Sequence, residues 1–149
     1  MSRYCLDTVA YSHFKRGEKR ITDMLDSAEW VGVPAIVIGE LCAGFRQGSR
    51  FESNTAELDA FLALPVVETL PVDREVADLF GEIIAGLRRI GRPVPTNDIW
   101  IAATCARAGA TLLTWDAHFR LIPRVGSVVF DSPIGTATPP TTRHVKLIS

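Results

Sequence analysis

The chain has no charge imbalance to speak of. Its 149 residues carry 16 basic and 17 acidic side chains, a net charge of −1. That excludes a globally basic nucleic-acid binder and a self-repelling acidic chain. Cysteine is scarce and odd in number (Cys5, Cys42 and Cys105), with no paired spacing. A disulfide framework and a zinc ribbon are thereby excluded, and each cysteine reads as a small core residue in a cytosolic setting. His13, His118 and His144 are scattered, so no cluster of softer donors forms. No apolar run is long enough to span a bilayer; the longest, residues 30–39, contains Pro34 and two glycines and stops at Glu40. No signal-peptide pattern precedes the first apolar segment, and no glycine-rich first turn suggests a dinucleotide site. What is there is 47% hydrophobic and 22% charged, enough for one soluble domain with a proper core.

The most informative stretch is residues 96–119, TNDIWIAATCARAGATLLTWDAHF. Thr96 or Asn97 is suited to cap a helix. Ile99, Ala102, Ala103 and Ala106 recur at helical spacing and make a thin apolar face that can sit close on a sheet. Gly109 provides a left-handed stop. Residues 110–115 then form a short apolar run with β-branched Thr111 and Thr114, suited to a buried strand. Asp98 lies in the helix's first turn, where the dipole favours an anion. Asp116 follows the strand. Since such a helix runs back along the strand, the two acids approach in space. Taken singly, Asp98 is a capping residue and Asp116 a turn former.

Residues 3–9 predict a first buried strand, with Asp7 near its end as a turn former or the cap of a short helix through Phe14. Residues 13–20, HFKRGEKR, read as a solvated basic connection. A helix through Trp30 follows, with Ile21, Met24, Leu25 and Ala28 on one face. The second strand is predicted at residues 34–37. The next helix carries Ile38, Leu41, Cys42 and Phe45 inward, with Glu40 beside that stripe. Glu40 must reach solvent, pair with a cation or bind something. Further elements are a helix at 51–64, a third strand at 66–70, a long helix at 72–90 and a last strand at 127–130. From Asp131 proline and threonine dominate and periodicity ends, so residues 131–149 read as a tail apart from a domain of residues 1–130. Alternation of strands and helices implies an α/β fold with a parallel sheet and right-handed crossovers.

All strands then point one way, and Asp7, Glu40, Asp98 and Asp116 project toward one sheet edge if strands one, two and four are neighbours or nearly so. Four ionised carboxylates cannot share a small volume without a counter-charge. A hard divalent cation, Mg²⁺ or Mn²⁺, takes all-oxygen ligands and works on phosphates. Setting the four aside leaves 13 acidic against 16 basic side chains, a mildly cationic body around a local anionic well. His118 could orient a substrate near Asp116 or be an ordinary surface histidine.

The ordered set of short patterns resembles the PIN domain, in particular the VapC-type toxin ribonucleases. The residues are LDT at 6–8, E-L-x-x-G at 40–44, D-x-x-I-A-A at 98–103 and T-x-D-x-x-F at 114–119. The resemblance covers about the first 130 residues. It implies a three-layer α/β/α fold of about five strands in the order 3-2-1-4-5. It also implies an Mg²⁺ site made of Asp7, Glu40, Asp98 and Asp116, and hydrolysis of RNA phosphodiesters. Thr114 matches the family's hydroxyl beside the last acid and counts as a substrate contact. Lys15, Arg16 and Arg46, with Lys19, Arg50, Arg88 and Arg89, are candidates to hold RNA, their alternative being ordinary solvated charge. A VapB-like antitoxin and a homodimer are the implied partners, with Trp100 or the helix around Leu79 as dimer contacts, no membrane, and a cytoplasmic location. A non-toxin PIN nuclease of RNA processing, or a non-catalytic receiver-like binding module, stays open. A receiver would want paired acids after the first strand and an Asp at the end of the third, where this chain has Asp7-Thr8-Val9, Glu68 within the third strand and Asp73 beyond it.

Overall fold

The computed structural model describes residues 2–131; the tail read from residue 131 lies, but for Asp131, outside them. The strands are β1 (Arg3–Leu6), β2 (Trp30–Pro34), β3 (Val67–Leu70), β4 (Thr111–Thr114) and β5 (Ser127–Val129). The helices are α1 (Thr8–Lys15), α2 (Lys19–Asp26), α3 (Ala35–Gln47), α4 (Phe51–Leu62), α5 (Arg74–Arg89) and α6 (Thr96–Ala108), with a 3-10 turn at Ala117–Leu121. All strand pairs are parallel, in the order β3-β2-β1-β4-β5, as predicted. Right-handed crossovers place α1 to α4 on one face and α5 and α6 on the other. The chain reverses its direction of travel across the sheet between β1 and β4. The crevice outside the carboxyl ends of those two strands is where such sheets bind ligands.

The core forms because the central strands are apolar on both sides. Cys5, Leu6, Val33, Leu112 and Leu113 are all at 0% exposure. The predicted thin face of α6 is present: Ala102 and Ala103 are also fully buried, so the helix lies close on the sheet. Gly32 in β2 is another close approach. A Cβ there would fall on the Trp30 ring and 2.8 Å from Leu70 Cδ1.

Helices α5 and α6 form an antiparallel hairpin. Glu75, at the start of α5, pairs with Arg107, near the end of α6, at 3.4 Å. Between them Phe80 stacks on Trp100 with ring centroids 3.8 Å apart. Trp100, named above as a dimer contact, thus packs within the hairpin.

Several boundaries differ from expectation. The second strand is Trp30–Pro34, not residues 34–37, and α3 starts at Ala35. An unbroken apolar run has no period by which to divide strand from helix. Residue 30 therefore belongs to the sheet, and α2 stops at Asp26. The first strand stops at Leu6, because Asp7 caps α1 by accepting from the Ala10 N–H at 2.8 Å. The basic stretch 13–20 is mostly helical, its ends belonging to α1 and α2. Pro95, rather than Thr96 or Asn97, occupies the cap position of α6, with no side-chain cap bond. Gly109 does end α6 in the left-handed region, φ +64°. Gly109→Ala is expected to lower unfolding free energy by about 1–2 kcal/mol from conformation alone, since open space surrounds the position. Urea denaturation should show the midpoint fall with the slope unchanged.

Candidate active site

Asp7 is the centre of the site. It is only 6% exposed. One oxygen caps α1; the other accepts from the Thr114 hydroxyl at 2.5 Å. Thr114 closes β4 and is wholly buried. Its oxygen in turn accepts from the Asp116 backbone N–H at 3.0 Å. The hydroxyl proton is therefore committed to Asp7, and one threonine joins the carboxyl ends of β1 and β4. Thr114, expected to touch substrate, is enclosed and acts inward by holding two acids in place.

Asp98 is 4% exposed, in the first turn of α6. Asp116 is half-buried after β4, and its carboxylate accepts from the backbone N–H of His118 at 2.9 Å. The His118 Nδ1 lies 2.9 Å from the same oxygen, the ring itself facing solvent. Burial pushes the Asp7 carboxyl from 3.8 up to about 7; the Thr114 and Ala10 hydrogen bonds oppose the rise, and the charges of Asp98 and Asp116 add to it. Three acids from remote parts of the chain thus share one electrostatic environment. Glu40 joins through Thr8, whose hydroxyl donates to Oε1 at 2.8 Å. The four are not drawn into a closed cage: among the described residues, no three carboxylate, imidazole or thiol groups are grouped closely enough to hold a metal ion.

The other site expectations lie further out. Lys15 and Arg16 end α1, away from its Asp7 end, and Lys15 pairs with Glu57 at 3.6 Å. Arg46, in the last turn of α3, lies over the Phe51 ring at 4.8 Å. Sequence reasoning missed a column of rings behind Asp116. His13 stacks on Trp115 at 3.9 Å, Trp115 on Phe130 at 4.5 Å, and Arg20 lies over both of the latter. Its members come from four elements or connections, so no local spacing signals it. Thr8 had a signal, its place beside Asp7 in the LDT pattern.

A doubly wound parallel sheet with carboxylates gathered at its switch point defines the class. The chain belongs to the PIN-domain family, whose model matches residues 4–125. It is 33% identical over 103 residues to the ribonuclease VapC4 of Mycobacterium tuberculosis, a match spanning 69% of this chain and 78% of that one. Among solved structures it is similar to DNA-bound VapBC from Salmonella typhimurium, with TM-score 0.75 and 26% identity, covering 87% of this chain and 98% of that one. VapBC2 from Rickettsia felis, bound to a promoter DNA fragment, shares the fold with TM-score 0.76 at 24% identity, covering 87% and 99%.

PIN nucleases are generally dependent on a divalent metal. The donor chemistry suits one, since the four side chains are all oxygen donors, but they would have to draw closer to share it. Burial is the main cause of the proton on Asp7, and the charges of Asp98 and Asp116 that add to it are what a hard cation would offset.

The raised Asp7 pKa makes stability depend on pH. The folded state keeps a proton that the unfolded chain has lost, between pH 3.8 and about 7. This stability is complete below about pH 4 and is lost as pH rises through 7, on the order of 4 kcal/mol at most. In EDTA, thermal melts should therefore show the wild type weakening from pH 5 to 8. Asp7→Asn should be less pH-dependent over that range and more stable at pH 8.

Proposed function

We propose that this chain is a metal-dependent endoribonuclease, the toxin of a VapBC-type toxin–antitoxin pair. The observation that carries the reading is the convergence on Asp7: Asp98 and Asp116 bear on its ionisation, and Thr114 ties it to the strand before Asp116. Similarity to a named ribonuclease and to VapBC complexes supports it.

Asp7, Asp98 and Asp116 would hold the cation, with Glu40 beside them, and we assign Mg²⁺, with Mn²⁺ as a substitute. These residues would hold an ion whose chemistry, once bound, would be to lower the pKa of a water and polarise a phosphate oxygen. The protein's own contribution is positioning. Thr114 fixes Asp7 and the backbone at Asp116. The His118 N–H aims the Asp116 carboxylate. Thr8 sets Glu40, and the start of α6 places Asp98 where its backbone N–H groups favour an anion. Lys15, Arg16 and Arg46 would meet RNA away from the reacting phosphate, as backbone contacts.

We further assign the domain to residues 1–130, with 131–149 as a separate segment. The partners we assign are a VapB-like antitoxin and a second copy of the chain, and the location is the cytoplasm. Among the described residues no helix is long and apolar enough to cross a membrane.

Asp98→Asn and Asp116→Asn should each lower cleavage of a single-stranded RNA oligonucleotide by at least about 100-fold, the scale on which removing one electrostatic partner of a transition state acts. Their melting temperatures should stay at or above wild type, and EDTA should abolish cleavage reversibly on Mg²⁺ readdition. Cleavage that persists in EDTA would refute the metal-dependent reading. Thr114→Val is expected to cost about 10–100-fold in activity or metal affinity. It should also move the acidic limb of the pH–rate profile upward, because the hydrogen bond it removes is one that lowers the Asp7 pKa.

A further inference from the structure

The corner where α5 turns into α6 forms an open pocket of about 410 Å³. Its floor is aliphatic: Ile84 and Leu87 come from α5, Val94 from the connection and Ile99 from α6. Arg88 and Arg92 also line it, and no carboxylate does. Among the described residues neither guanidinium has an ion-pair partner, as is true of several other arginines. Thr96 closes the wall beside α6. Thr96 and Ile99 share the first turn of α6 with Asp98, so the cavity lies one helix face away from the acidic site.

The size falls in the range of small-ligand pockets, about 300–1,000 Å³. The lining asks for a ligand with a flat apolar body and an anionic group. A protein segment with an acidic side chain would meet the same chemistry. Continuity with the acidic edge favours the strand that edge would cut. We propose that this corner is a nucleotide subsite for the RNA substrate. One base lies on the aliphatic floor, and Arg88 and Arg92 take the phosphate next to the one held at Asp7, Asp98 and Asp116. This inference rests on the ribonuclease reading. Arg88 also sits in the last turn of α5, where a cation complements the helix dipole. Arg92 lies beyond the helix and has no such role.

The test is cleavage and binding of single-stranded RNA oligonucleotides by the full chain and by Arg88→Gln, Arg92→Gln and the double variant. KM should rise about tenfold or more in the double variant with kcat within about twofold, and Arg92→Gln alone should show part of that rise at an unchanged melting temperature. Binding measured by fluorescence anisotropy in an Asp98→Asn background, where RNA is not cut, should become less salt-dependent. The slope of log K against log salt should fall by about 0.7 for each arginine that no longer meets a phosphate. Filling the floor with Ile84→Phe should change which base is preferred at one position beside the cut. Wild-type cleavage that depends on Asp98, together with unchanged KM, salt slope and base preference in the variants, overturns the subsite while leaving the ribonuclease intact. No cleavage by the wild type overturns the ribonuclease reading itself. A variant that instead loses only self-association or antitoxin binding gives the corner to a protein partner and overturns the proposal.

Discussion

A carboxyl group buried at the end of a central strand, in the field of two other acids, is the constraint around which this molecule is built. Asp7 is 6% exposed and, among the described residues, two hydrogen bonds offset its lost hydration. A buried ionised carboxylate without a counter-charge is expensive, and the usual escape is protonation. The fold keeps the group there all the same, and a carboxyl held at such a cost is what the proposed site rests on.

The surrounding architecture keeps that arrangement rigid. β1 and β4 are neighbours at the place where the chain reverses direction, so Asp7 and Asp116 leave adjacent strands. Thr114 locks the two ends together by donating to one and accepting from the other. The fully buried alanines of α6 let that helix lie close on the sheet, which brings Asp98 down to the edge. The hairpin partner α5, pinned by the Phe80–Trp100 stack and the Glu75–Arg107 pair, brings Arg88 beside the start of α6.

The parallel α/β alternation was legible in the sequence, its strand order came with the family resemblance, and the acids stood out by their positions. Each of Asp7 and Asp116 interrupts an apolar run, Asp98 opens a helix of small residues, and Gly109 marks where that helix stops. The division of residues 30–39 into strand and helix was not legible, because residues 30–38 are all buried or half-buried with no alternation to read. Pro34 belongs to both readings: it closes β2 and stands before the first residue of α3. The direction of Thr114 was also hidden. Its type and position were visible, but only the packing shows that its hydroxyl turns inward to Asp7. The Thr8–Glu40 bond and the His13–Trp115–Phe130 column join residues from different elements, so neither has a local spacing to announce it.

The proposed metal site requires that Asp7, Asp98 and Asp116 share one cation, and that the cation displaces the Asp7 proton. Calorimetric titration of Mn²⁺ into the full chain at pH 6, in two buffers of different ionisation enthalpy, measures both at once. Saturable binding with release of close to one proton per ion, and loss of that release in Asp7→Asn, is the expected result. Absence of binding, or binding that releases no proton and is indifferent to Asp7→Asn, would contradict it.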